Sequence, residues 1–441
     1  MRPPEQVARS ASASVIPREE ERKRTDRVAR LALSRTKVAS RGFPEVRGVV
    51  LGGSYAKGTW LPESVDIDIF VKIATATPEG RFEKVGLAVG AEAMKGYPRG
   101  KKYAQHPYTE ATMNGVKVNV VPCYAVDKGR WMSAADRSPF HVRLVRGLPQ
   151  GQKNQVRLLK RFMKAVGVYG AEIETQGFSG YVAEVLVIQH RSFTGVLRHF
   201  ADYEKGDGNA FSLPDPVDRS RDLGIAVSGE KLGRLVLACR EFLGRPREAF
   251  FQRMAGRARP TMGKEVVALV FSHRRISEDI LWGELRKTAK HVVKHVEARG
   301  FKVARALAAS NNSDKSAFLL IPEFAFLPAL EQRVGPGVHM RKETDEFLFH
   351  NRKKARIVWV DEDARVRLLQ DREYTGLNRL LEDLVKGRAG PVGASEEVAI
   401  GMAKSGRVLS GSQLSSLADS EEWIANGIRD ISSDAIGTRG S

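Results

Sequence analysis

The chain has 441 residues, 72 Lys+Arg against 52 Asp+Glu, a formal charge of +20 and an isoelectric point near 10.0. That length provides for about three domains with ample core, and the basic excess points to a polyanionic partner such as RNA, DNA or an anionic membrane surface. The two cysteines, Cys123 and Cys239, exclude a disulfide framework or a cysteine zinc site. No run of about 18 apolar residues occurs, which excludes a transmembrane helix. Met1-Arg2-Pro3-Pro4 starts no apolar signal core, so a soluble, cytoplasmic protein without a membrane partner is expected.

Residues 1–16 are small and polar and are expected to be loose. Pro17 then opens a charged helix that runs to about Ser40, with Glu19, Glu20 and Glu21 at the positive end of its dipole and Val28, Leu31 and Leu33 on its apolar face. Val46–Leu51 reads as a strand, Gly53-Ser54 as the start of a short helix, Val65–Ile73 as a second strand and Arg81–Met94 as a helix. After Tyr103–Tyr108, the runs Thr109–Met113 and Val116–Val121 flank Asn114-Gly115, a strong hairpin signal. Residues 1–145 therefore form a mixed sheet with helices on one side.

Between 146 and 255 the pattern is helical. Val156, Leu158, Leu159, Phe162, Met163 and Val166 recur at helical spacing over Asn154–Gly170, and Gly180–Phe193 and Gly229–Leu243 read the same way. Over 256–390 an α/β region is expected. Glu265–Ser272 is a buried-type strand, and Val303–Leu307, Ala317–Ile321 and Ala355–Val360 are strands of one second sheet. Glu278–Arg299 is an amphipathic helix carrying Arg286, Lys287, Lys290, His291, Lys294, His295 and Arg299, which suits phosphate contacts. From Lys386 onward Gly, Ser and Ala dominate, and 391–441 is expected to be a flexible polar tail.

The chemistry concentrates in two segments. Gly52-Gly53-Ser54 follows the apolar run Val49-Val50-Leu51, and Asp66 and Asp68 sit one residue apart in the alternating segment that follows. Residues i and i+2 of a strand project to the same side. Paired carboxylates beside a turn able to cradle phosphate are what magnesium-assisted nucleotidyl transfer needs: oxygen ligands for two ions next to the triphosphate. Gly53 allows close backbone approach, Ser54 offers a hydroxyl, and Lys57 lies one turn further on, within reach of the same anion.

At this point the chain resembles the archaeal-type (class I) CCA-adding tRNA nucleotidyltransferases of the DNA polymerase β-like superfamily. The resemblance rests on Gly52-Gly53-Ser54-Tyr55-Ala56-Lys57-Gly58, Asp66-Ile67-Asp68, His106-Pro107-Tyr108, Val120-Val121-Pro122-Cys123-Tyr124, Asp136-Arg137-Ser138-Pro139-Phe140-His141, Tyr169-Gly170, Gly177-Phe178-Ser179-Gly180-Tyr181, Asp215-Pro216-Val217-Asp218 and Gly335-Pro336-Gly337-Val338-His339, spread over about 45–370. It implies an α+β multidomain fold with a polymerase β-like palm, a helical central domain and a C-terminal α/β RNA-binding region. It implies addition of C, C and A to the 3′ end of tRNA from CTP and ATP with Mg2+. Asp66 and Asp68 match metal carboxylates in the family. Gly53, Ser54 and Lys57 match its triphosphate grip, and His141, Lys160 and Tyr169 match further nucleotide contacts. Arg221 matches an arginine that helps select the incoming base. The second sheet and tail would hold the acceptor stem and T arm of tRNA; a homodimer is compatible with the sequence and not required by it.

Three positions depart from the family pattern. Asn119 stands where the third metal carboxylate belongs, Gln105 where a glutamate is expected, and Lys57 where an arginine is usual. An amide oxygen can ligate magnesium but brings no charge. Glu110 and Asp127 are near in sequence, and nothing in the sequence places them at the site. The alternative to an enzyme is therefore a tRNA-binding relative with weak or no catalysis. Another polymerase β-like enzyme, such as a poly(A) polymerase, is disfavoured by the match beyond residue 140.

Overall fold

The computed structural model describes residues 2–103, 105–204, 211–252 and 265–433. The chain divides into two compact units, one within 1–254 and one within 255–433. Ala104 and the end of the expected tail, 434–441, lie outside the described residues.

The first unit begins with helix α1 (Pro4–Val15), which differs from the loose segment expected. Pro4 suits the first helical turn, and Val7, Ala8, Ala11 and Val15 share one face and bury in the core with Phe162 and Phe250. Four small apolar residues are too few to stand out in the sequence; the helix is held by what it packs against. Helix α2 (Glu19–Ser40), strand β1 (Val46–Gly52), helix α3 (Gly53–Lys57), strand β2 (Asp66–Ile73) and helix α4 (Glu79–Ala93) follow as expected. Strand β3 (Arg99–Tyr103) is an added edge strand, and β4 (Pro107–Met113) and β5 (Val116–Tyr124) form the hairpin. Asn114 and Gly115 both have positive φ, 50° and 76°, as a type I′ turn requires.

The sheet order is β1-β2-β5-β4-β3, with β2 and β5 parallel and the other pairs antiparallel. Alternation along β2 decides its two faces. Ile67, Ile69, Val71 and Ile73 are fully buried against Val28 and Ala32 of α2 and Phe82, Val85 and Val89 of α4. The opposite face carries Asp66 and Asp68, which leaves both carboxylates free of the apolar core.

Helices α5 (Ser138–Arg146), α6 (Gln150–Ala165), α7 (Gly180–His190), α8 (Phe193–Ala201) and α9 (Gly229–Gly244) complete this unit around Phe162, Phe193, Phe200 and Phe242. The expected helix over 180–193 breaks because Arg191 takes a left-handed φ of 65° and the Ser192 hydroxyl caps the next helix at Gly195.

The second unit contains β6 (Val267–Ser272), α10 (Glu278–Glu297), β7 (Val303–Ser310), β8 (Lys315–Pro322), β9 (Leu330–Gly337), α11 (Arg341–Asn351), β10 (Ala355–Val360), β11 (Arg365–Asp371), α12 (Leu377–Val385), α13 (Glu396–Ser405), β12 (Arg407–Ser410), α14 (Gly411–Ser420) and α15 (Glu422–Ser432). Two sheets are present rather than one: β12-β6-β8-β7 and β10-β11-β9. Strand β6 is apolar from Val267 to Phe271 because both its faces are buried there. Val267, Leu269 and Phe271 meet Leu281 and Leu285 of α10, while Val266, Ala268 and Val270 meet Leu414, Ile424 and Ile431. The segment expected to be a flexible tail thus supplies a strand and a core layer up to residue 432. Most of its Ser lie on the surface, Gly401 and Gly427 let helices approach the sheet closely, and a few aliphatic residues do the anchoring. On α10, Lys287, Lys290 and Lys294 form one exposed row, whereas His291 and Arg299 turn inward to the carbonyls of Gly393 and Ala389. No helix among the described residues is long and apolar enough to cross a membrane.

Candidate active site

Strand register builds the centre of the site. Gly52 pairs with Asp68 across β1–β2, Asp68 with Asn119 across β2–β5, and Asn119 with Glu110 across β5–β4. Paired residues project to the same face, so Asp68, Asn119 and Glu110 form one row. Asp66, Lys117 and Thr112 form the next row on that face. Gly53 closes the end of the first row. Its φ is 62°, and a Cβ there would lie 1.8 Å from Asp68 Oδ2, so only glycine lets the turn come against this carboxylate.

The Asp68 carboxylate accepts a hydrogen bond from Asn119 Nδ2 at 2.9 Å. Burial raises its pKa, against the opposing pull of the Asn119 amide and the Lys57 charge. Asp66 is raised too, by burial first and then by Asp68 and Glu110, with Lys117 and Lys164 pulling the other way. Asn119 Oδ1 is buried and accepts no hydrogen bond. Two acids held above their ordinary pKa, beside an orphaned carbonyl oxygen, fit a divalent cation with oxygen ligands. The structure thus brings Asp66, Asp68 and Asn119 together on one face. Glu110 joins them: the two-residue Asn114-Gly115 turn pairs Met113 with Val116 and so carries Glu110 opposite Asn119, a signal that the hairpin sequence already held. Asp127 lies exposed beyond the end of β5, and Gln105 accepts from the Ala134 amide at 2.7 Å.

The cations are organised by two buried acids. Glu184 of α7 takes Lys57 Nζ at 2.8 Å, Lys160 Nζ at 2.8 Å and the Thr59 hydroxyl at 2.6 Å. Burial alone would raise its pKa, but Lys160 and Lys57 outweigh it and hold Glu184 at about 2. Lys57 and Lys160 are 8% and 2% exposed, so both expected phosphate contacts are tethered from behind rather than free in a cleft. Asp215 takes the Tyr181 hydroxyl at 2.8 Å and the Val217 amide at 2.8 Å, and lies 3.1 Å from His141 Nε2 and 3.8 Å from Arg221. Its pKa falls to about 2 despite burial, because His141, Val217 and Tyr181 donate to it. Burial lowers the His141 pKa in spite of Asp215.

Tyr181 joins the two groups. Its ring stacks on His141 at 3.7 Å and faces Lys57 Nζ at 4.8 Å. Tyr169 and Lys160 converge at Gly180, where a Cβ would lie 2.7 Å from the phenol oxygen and 3.4 Å from Nζ. Burial is the first cause of the raised Tyr169 phenol pKa, with Glu184 and Asp66 adding to it. Lys164, 2.6 Å from Ser64 Oγ and 5.3 Å from the Tyr169 ring centroid, adds a half-buried cation that interacts with Asp66. Arg221 is the most open of the expected nucleotide residues, with 45% of its side chain exposed. Glu184, Tyr181 and Lys164 had escaped assignment. One signal for Glu184 was present: a single acid interrupts the apolar run of α7 as Lys160 interrupts that of α6, and opposite charges in two apolar helices are best satisfied by each other.

A cavity of about 940 Å³ sits against Tyr55, Ala56 and Gly58 of α3, with Arg22, Lys72, Arg143 and Arg157 around it. It includes none of Asp66, Asp68 or Asn119; the carboxylate row, not cavity volume, locates the chemistry.

Comparison with known proteins covers most of the chain. Residues 35–141 match the nucleotidyltransferase domain, 154–252 the second domain of tRNA nucleotidyltransferase, and 262–411 the C-terminal domain of the CCA-adding enzyme. The CCA-adding enzyme of Methanothermobacter thermautotrophicus is 35% identical over 373 residues, covering 78% of this chain and 81% of that protein. Those of Pyrobaculum islandicum and Haloarcula marismortui are 33% and 30% identical, covering 86% and 94% of this chain and 93% and 96% of theirs.

Proposed function

Because the chain belongs to the archaeal-type CCA-adding enzymes, we propose that it adds C, C and A to the 3′ end of tRNA from CTP and ATP, without a template. The observation that carries this is the row of Asp68 and Asn119 beside Asp66, sealed by Gly53. In the reaction the terminal ribose hydroxyl of the RNA attacks the α-phosphorus, a new phosphodiester forms, and pyrophosphate leaves. Bound divalent metal, magnesium in this proposal, would lower the hydroxyl's pKa and neutralise the leaving pyrophosphate. Asp66, Asp68 and Asn119 would hold it.

The remaining roles belong to side chains. Gly53 and Ser54 line the turn for the triphosphate. Lys57 and Lys160, fixed by Glu184, set a positive potential behind it without needing to reorganise. His141 and Tyr169 lie along the same array. Arg221 reads a base edge in this proposal, a role supported by its exposure and by Asp215 at 3.8 Å. In domain terms the palm (1–145) supplies the acids with Gly53, Ser54, Lys57 and His141, the helical region (146–255) adds Lys160, Tyr169 and Arg221, and 256–390 grips the acceptor stem and T arm, for which the exposed row Lys287, Lys290 and Lys294 is suited. A tRNA-processing enzyme of this kind works in the cytoplasm.

The deciding experiment incubates the protein with Mg2+, radiolabelled CTP or ATP, and tRNA lacking its 3′ CCA. Incorporation of C, C and then A is expected. Asp68→Ala should abolish it while leaving tRNA binding nearly intact. Binding without incorporation by the unmodified protein would favour a noncatalytic tRNA-binding relative, the outcome to which Asn119 points; turnover by Asp68→Ala would refute the metal role.

A further inference from the structure

We infer that Glu110 is the third carboxylate of the metal site, replacing from the neighbouring strand the acid that is missing at position 119. This rests on the nucleotidyltransferase reading and adds a ligand to it. Glu110 is directly opposite Asn119 in the β4–β5 ladder, in the row that continues to Asp68. Opposed residues have Cβ atoms about 5 Å apart, and a glutamate is one methylene longer than the aspartate it would replace. Its side chain is 25% exposed and lies on the acid-bearing face. Its Oε2 lies 3.4 Å from Nζ of Lys117, a residue of the Asp66 row.

Two further features point to a cation at this spot. Asn119 spends its Nδ2 donor on Asp68, which turns the amide so that the buried Oδ1 has no donor to accept from. Lys117, half exposed, holds Glu110 by a single surface contact and is free to swing into water. With Lys117 displaced, Asp66, Asp68 and Glu110 restore three negative charges, and Asn119 adds a neutral oxygen.

The test measures Mn2+ affinity of the whole protein by electron paramagnetic resonance of the free ion, with incorporation assayed alongside. Glu110→Gln should weaken Mn2+ binding at least about tenfold. Asn119→Asp in that background should restore it, whereas in the otherwise unaltered protein the same substitution should gain much less, because the third charge is already present. Lys117→Met should leave Mn2+ binding unchanged or tighter, which separates a ligand role from a purely structural Glu110–Lys117 pair. Unaltered Mn2+ affinity in Glu110→Gln, or no rescue by Asn119→Asp, overturns the proposal. Asp68→Ala is the reference: if it too binds Mn2+ like the parent, the metal site itself is misplaced, and if it alone loses binding, only Glu110 is.

Discussion

Glu184→Gln tests how the two buried lysines are held. Glutamine keeps the shape of the side chain and one acceptor for Thr59, but it removes the charge facing Lys57 and Lys160 and turns an amide donor towards an ammonium. Lys160 and Lys57 hold the Glu184 pKa down against its burial, and removing one partner of such a buried pair typically costs ~3–5 kcal/mol. Lys57→Met, by contrast, leaves Glu184 and Lys160 as a balanced pair and should cost only about 1 kcal/mol. Hydrogen exchange of the most protected α7 amides reads the first unit alone. Glu184→Gln should speed them about a hundredfold, and Lys57→Met less than tenfold. The sign with pH follows from a depressed acid: the Glu184 contribution is full above about pH 4.5 and is lost as pH falls towards 2. In Glu184→Gln that part of the acid sensitivity should vanish. Exchange in Glu184→Gln within twofold of the parent, or equal effects of the two substitutions, would refute this account.

Other consequences are as direct. Gly53→Ala forces a left-handed alanine, costing about 1–2 kcal/mol, and drives a methyl into Asp68 Oδ2. Incorporation should fall about a hundredfold through displacement of that carboxylate, while Gly48→Ala, with nothing within 4 Å, stays near the parent rate. Truncation after Lys386 removes β12 from the edge of β6 and strips Leu414, Ile424 and Ile431 from its face. Calorimetry should then show no cooperative transition for the second unit; an unchanged transition would mean that these helices contribute nothing.

Periodicity, turn chemistry and motif order were enough for the mixed sheet, the hairpin at Asn114-Gly115 and most helices, because those signals are local. They were also enough for the pairing of Asp66 and Asp68 on one face, since strand alternation is a property of the backbone itself. Helix α1 and the folded segment after Lys386 escaped because their few apolar residues matter only when another element covers them. Tethering of Lys57 and Lys160 by Glu184 and of His141 by Asp215 was settled by tertiary structure alone, because each joins residues from elements far apart in the chain; Glu110 meets Asn119 more locally, through the two-residue turn of their own hairpin. Their proximity depends on strand register and helix packing, and a one-residue slip in either would have pointed the same side chains elsewhere.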